Sequence, residues 1–347
     1  MSKNRQSPDQ EAIEESSSGA SAEDRLIEKY FRPIATHPGA FGLGDDAAAI
    51  APPPGCDLVL TTDGVISGVH FFPNDPPEAV ARKALRINLS DLAAKGAAPL
   101  GFLMSIALPQ DFAPGWLEGF ARALAEDAAL YRCPLLGGDT DRSPGGVMVH
   151  IAALGTVPHG TMVRRAGARA GDRIVVTGTI GDAALGLVLR KDPAAAERWK
   201  LDGAMRQHLL DRYLVPQPRN AIAEAVRRCA SAAIDVSDGL AGDLAKLARA
   251  SGIGADIAAE SVPLSAAARR ALDAEPAQIE TILTGGDDFE IIAAVAPGQL
   301  EGFRGAARSA SLDVTEIGTV VAQPRETRFL ATDGRALTFK RPSYSHF

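Results

Sequence analysis

Apolar runs in this chain end repeatedly on aspartate flanked by glycine or threonine. VLTTD closes at Asp63, PLLGGD at Asp139, AAIDVSD at Asp238 and ILTGGDD at Asp287 and Asp288. GLGDDAAAI adds Asp45 and Asp46, and NLSDLAAKG adds Asp91. The runs read as strands that each deliver a carboxylate to one site. Carboxylates a few ångströms apart raise one another's pKa, so such a site stays ionised only when metal cations balance it. The pattern therefore points to a fold that gathers several strand ends, and to Mg²⁺-assisted chemistry on phosphates.

The 347 residues, 46% hydrophobic and 23% charged, are enough to bury a full core and suggest two domains. Residues 1–21 are rich in Ser, Glu and Gln with almost no large apolar side chains, which predicts a disordered tail. Next comes a first helix, SAEDRLIEKYF, with Ser21 as its N-cap. Mixed strand-like and helix-like runs then predict an α+β domain over 22–158, closed by the basic connection TMVRRAGARAGD. A second α+β domain is expected over 159–347, with strands at RIVVTGTI, SAAIDVSD, IGADIAA, TILTGGDD with FEIIAAVA, and TEIGTVVA. Helices are expected at GDAALGLVLR, GAMRQHLLDRYL, AIAEAVRRCA and GLAGDLAKLARASG, the last ending at Gly252.

Several function classes fall away. A net charge of −7 argues against a nucleic-acid partner. No apolar stretch approaches the roughly 18 residues of a membrane span, and no signal-peptide pattern opens the chain, so a cytoplasmic location is expected. Cys56, Cys133 and Cys229 lie far apart without CxxC spacing, which suggests buried thiols and no zinc site. There is no Walker A sequence and no kinase-type HRD or DFG set.

The remaining motifs carry the chemistry. TTDGVISGVHF brings two hydroxyls and a carboxylate out of an apolar strand, the oxygen donors that Mg²⁺ prefers. DVSDG places two acids around Ser237 at a strand-to-helix transition, where helix N-terminal amides can bind phosphate oxygens. It is not an EF-hand, because the glycine is misplaced and no Glu follows at the required position. GTIGDAALG departs from the G-x-G-x-x-G fingerprint and reads as tight strand-to-helix packing. His70 borders the TTD site, and either Arg164 or Arg165 is placed to clamp a phosphate.

Taken in order, GLGDDAAAI, TTDGVISGVHF, NLSDLAAKGAAP, GGDTDRSPG, GARAGDRIVVTGTIGDAALGL, DVSDGLAGDLAKLA, LTGGDDFEI and the terminal YSHF resemble the thiamine-monophosphate kinase family. That family shares a superfamily with aminoimidazole ribonucleotide synthetase and selenophosphate synthetase. The resemblance covers about 22–347. It implies an N-terminal domain whose mixed sheet pairs with its copy across a homodimer, and a C-terminal α/β sandwich domain, with the active site in the cleft between domains. It also implies transfer of the γ-phosphoryl group of ATP to thiamine monophosphate, giving thiamine diphosphate and ADP, with Mg²⁺ as cofactor and a K⁺ requirement left open.

Position by position, the resemblance implies Asp46, Thr61, Thr62, Asp63, Asp91, Asp139, Asp235 and Asp238 as magnesium ligands, Asp63 and Asp139 being the most critical. It gives Gly138, Asp139, Arg165 and Ser237 to ATP, and His70, Asp287 and Tyr344 to thiamine monophosphate. No side chain is expected to act as general acid or base. GGDDFE stands where the family usually has GGEDYE, and GGDTD where it has GGDTT; Asp45, Asp141 and Asp288 receive no role. A selenophosphate synthetase needs a reactive Cys or selenocysteine near its start, and residues 1–44 have no cysteine. The TTD and YSHF motifs count against an aminoimidazole ribonucleotide synthetase. A non-catalytic nucleotide sensor would retain the fold without turnover.

Overall fold

The structure is a computed structural model that describes residues 21–323, 326–341 and 343. Residues 1–20 of the tail expected over 1–21, and the substrate-pocket candidate Tyr344, lie outside the described residues, whereas Ser21 is described and belongs to the first helix as its cap. Ser21 caps α1 (Ala22–Leu26), its hydroxyl accepting from the Asp24 N–H while Asp24 bonds back, and the chain continues as a π-type turn to Phe31.

The N-terminal domain is built on β1 (Cys56–Ile66), α2 (Pro77–Ala94), β2 (Ala98–Leu108), α3 (Pro114–Leu130), β3 (Leu135–Arg142) and β4 (Met148–Pro158). The sheet order is β1-β4-β2-β3, antiparallel except for the parallel β2/β3 pair, so β1 and β3 are its outer strands. α2 and α3 cover one face. β4 shows the alternation this demands: Val149, Ile151, Ala153 and Val157 face the helices, while Met148 and His150 are exposed.

The expectation that β1 and β3 end at their aspartates is corrected. Asp63 pairs with Ile151 and Asp139 with Ser105 inside continuous ladders. Outer strands tolerate polar side chains without losing pairing, so the switch from apolar to polar sequence marks a change of solvation, with the strand continuing.

The C-terminal domain contains β5 (Arg173–Thr177), α4 (Asp182–Lys191), α5 (Ala195–Arg198), α6 (Gly203–Leu214), α7 (Ala223–Cys229), β6 (Ala230–Asp235), α8 (Leu240–Ser251), β7 (Gly254–Ala258), α9 (Ala266–Ala274), α10 (Gln278–Thr284), β8 (Ile291–Val295), α11 (Leu300–Ser309), β9 (Val314–Val321) and β10 (Thr327–Leu330). Its six strands run β10-β7-β9-β5-β8-β6, parallel only between β10 and β7. Helices bury both faces, which is why every residue of β8 is buried. The strand expected at TILTGGDD is corrected: Ile282 and Leu283 are core residues of α10, and β8 begins only at Ile291. A short apolar run does not by itself distinguish a strand from a buried helix.

α2 joins the halves. Pro76 and Pro77 start it, and Gly96, at φ 71°, follows its end. It packs on β1 and β4 with one side and on β6 and β8 with another, so nearly all of it is buried, including Lys83, Arg86, Asn88 and Ser90. Arg86 forms a two-pronged pair with buried Asp127 of α3 and donates to the Pro216 carbonyl. Among the described residues no helix is long and apolar enough to cross a membrane. Cys133 is buried, and burial pushes its thiol up to about 12; Cys56 and Cys229 are half-buried, and all three are free.

Candidate active site

The acids fall into two groups. The first lies where β1, α2 and the β6–α8 turn meet. Thr61 donates to the Asp91 carboxylate at 2.5 Å, and the Asp63 N–H donates to the side-chain oxygen of Asn88 at 3.0 Å. Burial raises Asp63 to about 6, with Asp91 and Asp238 adding repulsion. Asp235, at the end of β6, accepts from Ser90 at 2.8 Å; burial, then Asp91 and Asp243, push it to about 8.

Cations flank this group. Lys95, just past α2, donates to the Ala233 carbonyl at 2.8 Å, and burial lowers its pKa while Arg165 adds repulsion. Arg165 stands close enough to Lys95 to repel it, whereas the Arg164 carbonyl ties the loop to β6 by accepting from the Ala233 N–H. Asp238 is bonded by Lys246, which also donates to Asp243 at 2.8 Å. Ser237 sits in the same turn. Its carbonyl accepts the Asp287 N–H at 2.9 Å, and Val236 exchanges backbone bonds with Phe289 and Glu290, fastening the 285–290 loop beside the acids.

The second group lies across the N-terminal sheet. Asp45, Asp46, Gly138, Asp139 and Thr140 line a cavity of about 660 Å³ whose apolar wall includes Phe31, Leu43, Leu103 and Leu135. A Cβ at Gly138 would sit 1.8 Å from the Met104 carbonyl oxygen, so glycine is required there by the neighbouring strand. Within one chain Asp46 and Asp139 do not join Asp63, because β4 and β2 intervene. Asp141 is exposed further along β3.

Of the proposed substrate residues, His70 and Asp287 are brought together at the domain boundary. The Ile66 N–H donates to His70 Nδ1 at 3.1 Å, and Lys83 donates both to the His70 carbonyl at 3.0 Å and to Asp287 Oδ2 at 2.7 Å. Asp288, one residue on, faces the other way. Fully buried, it accepts the Gly181 N–H at 2.7 Å at the start of α4, and burial holds its carboxyl well above the ordinary range. Gly181, at φ 87° with Ile282 against it, confirms the packing reading of GTIGDAALG.

Lys83, Asn88, Ser90 and Lys95 were not singled out from sequence. Their signal was polar side chains in an otherwise small and apolar helix, at spacings that reach both domains.

Crowded hard oxygen donors with raised carboxyl pKa values suit a divalent cation such as Mg²⁺. Among the described residues, though, no three acidic, histidine or cysteine side chains converge closely enough to hold a metal as they stand.

The family models for the N-terminal and C-terminal domains of AIR synthase related proteins match residues 44–157 and 169–331. The thiamine-monophosphate kinase of Caulobacter vibrioides is 42% identical over 324 residues, 92% of this chain and 89% of that protein. Its Salmonella typhimurium counterpart is 36% identical over 330 residues, 94% and 99% of the two chains. The crystal structure of the Stenotrophomonas maltophilia thiamine-monophosphate kinase superposes with a TM-score of 0.77 at 34% identity, covering 90% of this chain and 96% of that one. AaThiL complexed with AMPPCP and TMP gives 0.72 at 30% identity, covering 89% and 97%. Hydrogenase maturation protein HypE, at 20% identity and a TM-score of 0.75, shares the fold. With both family domains in order over most of its length, the chain belongs to the thiamine-monophosphate kinase family of AIR synthase related proteins.

Proposed function

We propose that this chain transfers the γ-phosphoryl group of ATP directly to the phosphate of thiamine monophosphate, releasing thiamine diphosphate and ADP. The observation that carries the reading is the crowding of Asp63, Asp91, Asp235 and Asp238 where α2 meets the start of α8, beside Lys95. It is supported by the relative solved with AMPPCP and TMP. Magnesium, when held by Asp46, Thr61, Thr62, Asp63, Asp91, Asp139, Asp235 and Asp238, supplies charge neutralisation for the triphosphate and the acceptor phosphate.

The chain's own residues do the rest. Arg165 and the Ser237 turn at the α8 N-terminus hold nucleotide phosphates, and the apolar cavity beside Gly138 and Asp139 suits the base. His70 and Asp287 position the acceptor, whose phosphate oxygen is already ionised near neutral pH and needs no general base.

The active unit in this reading is a homodimer. The helix-free face of the N-terminal sheet exposes Leu60 (70%), Leu103 and Met148, and among the described residues β1 and β3 have no further strand beside them. Pairing two copies so that this face is covered and β3 of one lies beside β1 of the other brings Asp46 and Asp139 of each chain to the sheet edge that carries Asp63 of the other. The test is purified protein with ATP, Mg²⁺ and thiamine monophosphate, scored for thiamine diphosphate with one ADP per product. Binding of ATP without ADP formation would favour the sensor, and release of AMP a selenophosphate synthetase.

A further inference from the structure

Lys83 is only 3% exposed, yet it is a cation at the boundary between domains. Its ammonium is held by His70 from the β1–α2 connection and by Asp287 from the α10–β8 loop, and it lies 4.4 Å over the ring of Tyr213 in α6. Behind it the packing continues. Tyr213 meets Phe72 edge-on at 6.1 Å, and Arg190 covers the Phe72 ring at 4.7 Å while pairing with Asp75 at 2.5 Å.

The loop that supplies Asp287 is under local constraint. Asp287 has φ 73° and Phe289 φ 51°, the left-handed region that side-chain-bearing residues seldom adopt. Its backbone is fixed by the Ser237 carbonyl, and the charged contact at its side chain is Lys83. Thus the same ammonium fixes a group from each domain, and both belong to the proposed acceptor pocket.

We propose that Lys83 is a positioning residue for the acceptor: it locks the Asp287 carboxylate and the His70 segment in register across the domain boundary and thereby sets affinity for thiamine monophosphate. The inference rests on the thiamine-monophosphate kinase reading. It also changes what Asp287 offers. The carboxylate is 36% exposed but already paired, so a cationic substrate meets a neutralised ion pair and is selected by shape and hydrogen bonding.

The test is steady-state kinetics of K83M, D287N and the double variant, with calorimetric binding of thiamine monophosphate and of a non-hydrolysable ATP analogue. Met keeps the length and packing of the lysine stem. K83M is expected to raise KM for thiamine monophosphate on the order of tenfold, with KM for ATP changed less than about twofold. D287N should do the same, and the double variant should be no worse than the poorer single one. A residue that merely stabilises the interface would shift both KM values together or lower only Tm. If K83M does not fold, D287N still removes the ion pair from a half-exposed position. An unchanged thiamine monophosphate KM in D287N or in folded K83M, or additive effects in the double variant, would overturn the proposal. A parent protein that neither binds nor phosphorylates thiamine monophosphate would overturn the functional reading itself, and this inference with it.

Discussion

Asp63 and Asp139 stand on the two outer strands of one sheet and point to opposite faces of it. In register, Asp63 aligns with Ile151, Met104 and Gly138, and the first two of these are buried under the helices. Asp139 aligns with Ser105, His150 and Gly64 on the other face. Three strand spacings separate them by about 14 Å. Neither can complete the other's site within one chain. Mixed assembly of D63N and D139N chains is therefore expected to recover activity that each variant lacks alone. Each hybrid dimer has one intact site, so random mixing should yield about a quarter of the parent turnover. Absence of any recovery in verified hybrids would place both residues in a single-chain site.

Asp235 opposes folding when no metal is bound. Its folded pKa, about 8, lies above the ordinary 3.8, so the native state holds the proton longer and stability declines as pH rises between those values. D235N should stabilise the metal-free protein at pH 8, on the order of 1 kcal/mol, because Asn still accepts from Ser90. The same change should erase both turnover and the stabilisation gained on adding Mg²⁺. Urea titrations with EDTA and with Mg²⁺ separate the two effects; a less stable D235N in EDTA would refute the first.

Glu290 is a structural counterpart to these functional acids. It is fully buried and takes hydrogen bonds from Arg212 at 2.9 Å, from Arg219 at 2.7 Å and from Thr177 at 2.7 Å. E290Q leaves buried guanidinium groups without a counter-charge, and a loss of about 3 kcal/mol is expected by chemical denaturation. A loss below about 1 kcal/mol would show that water replaces the missing charge.

His208 and Asp182 give the C-terminal domain a pH-dependent contact. The hydrogen bond to Asp182 raises His208 above its ordinary 6.5. Burial pushes Asp182 up, but bonds from His208, Ser265 and Thr179 outweigh it and leave the carboxyl below 3.8. The histidine's contribution is complete below pH 6.5 and is lost as pH rises through its higher folded value. The imidazole is 43% exposed, so the effect is screened. H208Q should cost about 0.5 kcal/mol at pH 5.5 and close to nothing at pH 9, read from Tm against pH.

Much of the fold was legible because local signals agreed with it: Ser21 caps the first helix, Gly252 ends α8, and DVSDG turns from strand into helix. The site was legible as a set of residues and much less so as geometry. Which face of β1 or β3 an aspartate occupies depends on register, which is fixed by pairing with β4 and β2 and is invisible in the local sequence. Asp287 and Asp288 illustrate the same limit. Adjacent and chemically identical, one is paired by Lys83 at the domain boundary while the other closes the start of α4. Lys83 itself looked like an ordinary helix lysine, because its two acceptors come from loops 13 residues before it and 204 after it.

α2 carries Lys83 one turn above Arg86 and two turns above Asp91, so a single rigid rod ends at the acceptor loop on one side and the acid cluster on the other. Eight residues of helix fix that interval at about 12 Å, whatever the surrounding loops do. The helix is a gauge: the gap that ATP and its acceptor must share is cut to length by backbone hydrogen bonds, and adding or deleting one residue in α2 would both change the span and rotate one end out of the cleft.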